Sequence, residues 1–240
     1  MPVNSNKVSA YTIYVNRWGT LRLRCLRCGY LGPSDGPLCP RCGFPLIVEP
    51  RGVLRIDREK PSILRYASVL NYGNKAVTLG EGLTRIRRVN GVMIKDESRN
   101  PTGSFMDRGS SVLISNVSGE VKVLFEEDFT LSIATYANAA GIGIRVYVNP
   151  DHVGAYAELL RLSTMSNVTI EFSEGGHGVD IIYGEPLFLD GVKTIAYELY
   201  EQVGEVEGVV LPMERGYLAW RFMRALGNCV SGASLVTCRG

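Results

Sequence analysis

Two copies of one five-residue phrase, Cys25-Leu26-Arg27-Cys28-Gly29 and Cys39-Pro40-Arg41-Cys42-Gly43, constrain the start of this chain more tightly than any other feature. Two thiolates with two residues between them converge on one ion, and the glycine behind the second lets the chain turn while amides point at sulfur. The second phrase completes a tetrahedron. Ten residues separate Cys28 from Cys39, a short gap for such ribbons but enough for a hairpin, and Pro33-Ser34-Asp35-Gly36-Pro37 supplies its turn. Cys25, Cys28, Cys39 and Cys42 are therefore expected to hold one structural Zn2+, with no coordination position left for water.

With 240 residues and 45% apolar content, the chain can bury a substantial core. It has no run of about 18 apolar residues and no charged-then-apolar leader, so a soluble cytoplasmic protein with no membrane partner is expected. Paired cysteines at metal spacing suit a reducing compartment better than a disulfide framework. Cys229 and Cys238 lie far from the knuckles and read as ordinary small hydrophobes. Net charge is +2, yet residues 1–60 hold 10 Lys/Arg against 4 Asp/Glu. Arg17, Arg22, Arg24, Arg27 and Arg41 decorate the ribbon and raise nucleic-acid binding as a lesser reading. A solvated face, partly offset by the charge of a tetrathiolate zinc centre, accounts for them more simply.

Beyond about residue 60 the pattern alternates between short apolar, β-branched runs and helical stripes, which predicts a mostly parallel sheet covered on both faces. The expected strands are Val92 to Lys95, Val121 to Phe125, Ile144 to Val148, Val168 to Phe172, Val209 to Leu211 and Ser234 to Thr237. Val192, Ile195, Ala196, Leu199 and Val203 recur at helical spacing behind Asp190, which reads as a cap; Ala219, Phe222, Met223 and Leu226 form a second stripe. The expected division is a basic ribbon segment over 1–50 and an α/β region over 51–240, with a small domain at about 90–172 inside it.

Asn100-Pro101-Thr102-Gly103-Ser104-Phe105-Met106-Asp107-Arg108 resembles the attachment loop of the threonine synthase family, among the fold type II pyridoxal phosphate enzymes. Leu79-Gly80-Glu81-Gly82-Leu83-Thr84 is similar to that family's opening motif, although Arg85 stands where a proline is usual. Val92-Met93-Ile94-Lys95-Asp96-Glu97 and Asp190-Gly191-Val192-Lys193-Thr194-Ile195-Ala196-Tyr197-Glu198 match two further segments in order. The resemblance implies a tryptophan-synthase-β-like (fold type II) α/β architecture, truncated at its C-terminus and carrying an N-terminal zinc ribbon, as archaeal-type threonine synthases do.

The same resemblance implies a lost chemistry. The family's lysine forms a Schiff base with the cofactor, which requires a primary amine; Met106 offers a thioether of similar length. Lys95 is no substitute, because its family counterpart coexists with the true lysine. Where the family presents Ser-Ser-Gly-Asn-Thr, this chain has Phe125-Glu126-Glu127-Asp128-Phe129, three carboxylates for a dianionic cofactor. Asp128 is instead expected to cap a helix over Thr130 to Ala140. The glycine-rich phosphate cup becomes Pro212-Met213-Glu214-Arg215-Gly216-Tyr217, with one glycine, Gly216, surviving.

His152 and His177 are the only histidines, and Gly175-Gly176-His177-Gly178 reads as a loop. No nucleophile elbow, P-loop or dinucleotide fingerprint supplies other chemistry. Family members run on beyond the point where Gly240 ends this sequence, so a homo-oligomer or a complex with a full-length relative is expected to cover the open sheet edge. A non-catalytic pseudoenzyme with a scaffold or regulatory role, holding zinc and no pyridoxal phosphate, is the expected function. A pyridoxal-phosphate-dependent lyase is the alternative.

Overall fold

The computed structural model describes residues 21–34, 36–151, 156–173 and 178–227, together with the backbone of 235–238. Arg17, Asp35, His152, His177 and Cys229 lie outside the described residues, as does the side chain of Cys238. The chain forms two compact units, one of Met1–Glu49 with Asn116–Pro186 and the other of Pro50–Ser115 with Leu187–Gly240.

The first unit opens with the ribbon. Strand β1 (Leu23–Cys25) pairs antiparallel with β2 (Leu31–Gly32) on one side and β3 (Leu46–Val48) on the other. Leu23, Leu46, Ile47 and Val48 are buried, a small core that a metal centre must supplement. Both knuckles have the same backbone. Cys25 N donates to Tyr30 O and Gly29 N to Cys25 O, as Cys39 N donates to Phe44 O and Gly43 N to Cys39 O. Each ends in a glycine at positive φ, +72° at Gly29 and +67° at Gly43, where a side chain would be strained.

The chain then enters the second unit through a 3₁₀ segment, Ser62–Val69. Strands β4 (Ile86–Val89) and β5 (Val92–Lys95) follow as an antiparallel hairpin. The Val92 to Lys95 run was expected in a parallel sheet, and this is a correction: Asn90 and Gly91 both take positive φ, 49° and 81°, the turn that matches strand twist in two-residue hairpins. Helix α1 (Met106–Ile114) completes this stretch.

Returning to the first unit, β6 (Val121–Leu124), α2 (Glu127–Ala139), β7 (Ile144–Val148), α3 (Tyr156–Ser163) and β8 (Val168–Phe172) form a βαβαβ run. The three strands are parallel in the order β6-β7-β8. Val121, Val123, Ile144 and Val146 are fully or almost fully buried; paired in register at alternate positions, they form one β-branched face of the sheet turned to the core. Beyond β8, Ile181 bridges in parallel to Val123, and Lys122 N donates to the Asp180 carboxylate at 2.9 Å.

The second unit resumes with α4 (Pro186–Val192), α5 (Thr194–Val203), β9 (Val209–Pro212), α6 (Tyr217–Leu226) and β10 (Leu235–Cys238), with β9 and β10 parallel. Two glycines let α4 cross α1 at backbone distance. A Cβ on Gly191 would overlap the Arg108 carbonyl oxygen, and one on Gly109 would lie 2.5 Å from the Phe188 ring.

Candidate functional site

The four knuckle sulfurs lie within 4.8 Å of one another. Cys25 and Cys42 Sγ are 3.5 Å apart, and Cys28 and Cys39 Sγ 3.6 Å. Zn–S bonds of about 2.3 Å place tetrahedral sulfurs roughly 3.8 Å apart, so these residues fit a zinc ion. Burial raises the Cys25 thiol, but the amides of Cys28 and Arg27 outweigh it and bring it down to about 7. The Phe44 amide favours the Cys42 thiolate, yet burial and the neighbouring sulfurs push that thiol up to about 12. Four thiolates at this spacing repel one another, and a divalent cation is what lets all ionise. The ribbon arginines Arg22, Arg24, Arg27 and Arg41 are exposed; Arg24 reaches Glu49 at 3.6 Å and Arg41 lies over the Tyr30 ring at 5.2 Å.

Met106 is the first residue of α1, half-buried, behind a loop whose other polar residues are all engaged. Asp107 is fully buried and accepts from Thr102 N at 2.7 Å and Thr102 Oγ1 at 2.6 Å. Asn100 donates to the Glu97 carbonyl and carboxylate, each at 2.9 Å, and accepts from Gly82 N at 2.9 Å. Gly103, at φ +90°, returns its N–H to Asn100 O. The loop shape is set without Met106.

Behind it lies a buried charge network that sequence reasoning did not anticipate. Arg108 has no exposed surface. It donates to both Glu97 carboxylate oxygens, at 2.7 and 2.8 Å, and to Glu198 Oε2 at 2.8 Å. Lys95 donates to Glu198 Oε1, to Thr84 O at 2.7 Å and to Gln202 Oε1 at 2.9 Å. Thr84 Oγ1 donates to Glu97 at 2.7 Å, and Leu83 N to Glu198 at 2.8 Å. Two cations thus meet two carboxylates.

Burial raises the Glu198 carboxyl, but Arg108 and then Lys95 outweigh it and hold it down to about 2. The same opposition, with Arg108 prevailing, keeps Glu97 below the usual carboxylate range. Burial draws Lys95 below the ordinary lysine value against the pull of Glu198. The four segments that carry the family resemblance converge on this cluster. The signal in sequence was only that Lys95, Glu97, Arg108 and Glu198 all fall inside segments that carry the resemblance.

Two expected caps are corrected. Helix α2 begins at Glu127 with Glu126 as its cap residue, so Asp128 is an exposed member of the first turn. Thr130 Oγ1 accepts from Glu126 N at 2.7 Å, which moves the helix start forward. Asp190 lies inside α4, fully buried, accepting from Asn71 N at 2.9 Å, Asn71 Nδ2 at 3.1 Å and Lys193 Nζ at 2.5 Å. A partner 119 residues away makes it a tertiary anchor. Glu214 and Arg215 are exposed, and Gly216 caps α6 in the left-handed conformation at φ +79°.

The second unit also holds an apolar cleft of about 840 Å³ between the β4–β5 hairpin, α5, the 205–212 segment and α6. Ile86, Met93, Phe105, Leu199, Leu211 and Phe222 are among its lining residues.

The sequence profile described as pyridoxal-phosphate dependent enzyme matches residues 73–235. Threonine synthase from Methanosarcina acetivorans is 26% identical over 227 residues, covering 80% of this chain and 56% of that protein. Maize serine racemase superposes with a TM-score of 0.56 at 16% identity, over 64% of this chain and 55% of that one. The processed threonine deaminase isoform 2 of Solanum lycopersicum gives 0.53 at 16% identity, over 61% and 46%. The chain therefore spans about half the length of the relatives it matches. The architecture is that of the fold type II enzymes, and this chain, a threonine synthase homologue, belongs to the pyridoxal-phosphate dependent enzyme family.

Proposed function

We propose that this protein is a threonine-synthase-like pseudoenzyme, a scaffold or regulatory partner that keeps the family fold without the family chemistry. One observation carries the reading: the head of α1, where the resemblance puts the cofactor lysine, is Met106. A thioether has no N–H to lose and forms no Schiff base. Lys95, which lies in the adjoining motif, has its amine committed to Glu198, Thr84 and Gln202. The residues present do not fit a covalently held pyridoxal phosphate.

Two further positions support this reading. The loop aligned with the family's O3′ contact carries Glu126, Glu127 and Asp128, and the loop aligned with its phosphate cup carries Glu214 beside Arg215. Like charge opposes a dianionic cofactor at both. Gly216 retains a positive φ, and what it supplies here is the start of α6. The ribbon's Cys25, Cys28, Cys39 and Cys42 hold structural zinc in this reading, in a reducing, cytoplasmic setting that keeps the thiolates available. Among the described residues no helix is long and apolar enough to cross a membrane. The partner is a second copy or a full-length relative.

The test is optical. Purified with pyridoxal phosphate, the protein is expected to lack the visible absorbance of a Schiff-base-bound cofactor, and Met106→Lys is expected to stay colourless. A yellow wild-type protein overturns the proposal in favour of a working lyase. A yellow Met106→Lys variant overturns the view that the acidic loop and the altered cup have closed the pocket to the cofactor.

A further inference from the structure

Strand β5 leaves one edge of its hairpin open. Its register sets Val92 opposite Val89 and Met93 opposite Arg88, and beyond the strand Asp96 N donates to Arg85 O at 3.0 Å. Opposed residues in an antiparallel ladder alternate between bonded and non-bonded pairs. The bonded pairs that follow from Arg85–Asp96 are therefore Arg87–Ile94 and Val89–Val92. Met93 and Lys95 turn their backbone N–H and C=O away from β4. Among the described residues no other strand joins this sheet, and neither of these two backbones has a partner.

The apolar cleft runs along that edge. Side chains of a strand point to opposite faces in turn, so a cleft laid against one face is lined by every second residue. All four residues of β5 and all four of β9 line this one, which puts a strand edge, not a face, on each side of the opening. Strand β9 pairs only with β10 among the described residues, so its other edge is open too. Two unpaired edges on one cleft of about 840 Å³ are a template for a further strand. Val92, Met93 and Ile94, which are 62%, 39% and 39% exposed, offer that strand apolar contact on both of its faces.

The cleft also has a sign. Of the charged residues that line it, Lys95 and Glu97 are held in the buried network. The other two, Glu205 and Glu207, are exposed and have no ion-pair partner among the described residues. Uncompensated acid at the rim selects a basic partner.

We propose that this cleft binds an extended segment of a different protein as an added strand. The segment's backbone bonds to Met93 and Lys95, its apolar residues fill the cleft, and its flanking lysines or arginines face Glu205 and Glu207. The inference names what a scaffold of this kind would hold and rests on the scaffold reading above for its biological role. Its test reads peptide binding and amide protection, not cofactor colour, so either can fail alone.

The probe is a short fluorescent peptide of alternating valine and threonine between paired terminal lysines, titrated into the full chain and followed by anisotropy. Saturable binding is expected, with amide exchange slowed at Met93 and Lys95 and unchanged at Val92 and Ile94, whose N–H groups β4 already holds. Methylating the peptide's backbone nitrogens should abolish binding. So should Met93→Pro, which deletes an outward N–H and none bonded to β4, a position where an edge strand tolerates proline. Glu205→Lys with Glu207→Lys should weaken binding about tenfold and favour the same peptide ended in glutamates. A peptide that does not bind overturns the proposal, whether the cleft is empty, filled by another part of this chain or covered by a second copy. Binding that survives backbone methylation also overturns it, since the cleft is then a general apolar site, as does exchange slowed equally at all four amides.

Discussion

Arg108 donates from Nε and Nη2 to the two carboxylate oxygens of Glu97, at 2.7 and 2.8 Å. The fork geometry of a guanidinium matches a carboxylate in a way that an ammonium cannot. Because Arg108 also holds Glu198, one side chain joins the attachment-loop motif, the strand motif before it and the helix motif about ninety residues on.

Removing that side chain leaves the buried Glu198 and the half-buried Glu97 without the cation they share. Arg108→Met is expected to cost about 3–5 kcal/mol, read as a lowered urea midpoint with an unchanged slope. Arg108→Lys should also destabilise, since it keeps the charge and loses the bidentate contact.

Acid should act on the same cluster. A carboxyl held at about 2 when folded, against about 4.3 in an unfolded chain, stabilises the fold at every pH above the unfolded value. That contribution fades as pH falls from there towards 2, and Glu97, shifted in the same direction, adds to it. Circular dichroism against pH is expected to show stability flat from 7 to about 5 and falling below it, with Glu198→Gln less stable at neutrality and less sensitive to acid.

Gly191→Ala tests the helix crossing. Its added methyl would overlap the Arg108 carbonyl oxygen and come within 2.9 Å of Gly109 Cα, and backbone cannot yield as a side-chain tip can. A loss of about 3 kcal/mol is expected, with hydrogen exchange rising in 106–114 and 186–203.

The ribbon should respond to chelation alone. Metal analysis is expected to find one zinc per chain, and removing it should abolish exchange protection over 21–48 while leaving that of 187–227 intact. Cys28→Ser, which alters an exposed ligand, should produce the same loss.

Local signals were legible where one physical cause acted alone. The repeated cysteine spacing located the knuckles, and the β-branched runs located β6, β7, β8 and β9 to within a residue. Elements decided by two causes were misread. Val92 to Lys95 has a strand's composition, but the Asn90-Gly91 turn fixes its partner as β4. Asp190 sits two residues before the end of α4, which gives way to α5 at Lys193. Its burial depends on Asn71, which no local pattern can supply. Charged residues such as Arg108 and Glu198 read as surface in a sequence, and only the fold brings their opposite charges together.

The head of α1 separates two kinds of information that a motif normally transmits together. Asp107 and Arg108 are buried and bonded, while Met106 between Ser104 and that pair joins none of the loop's bonds through its side chain. The bonds that hold Asp107 and Arg108 are therefore independent of the side chain at 106. The surrounding letters record how the chain folds, whatever the side chain at 106 does.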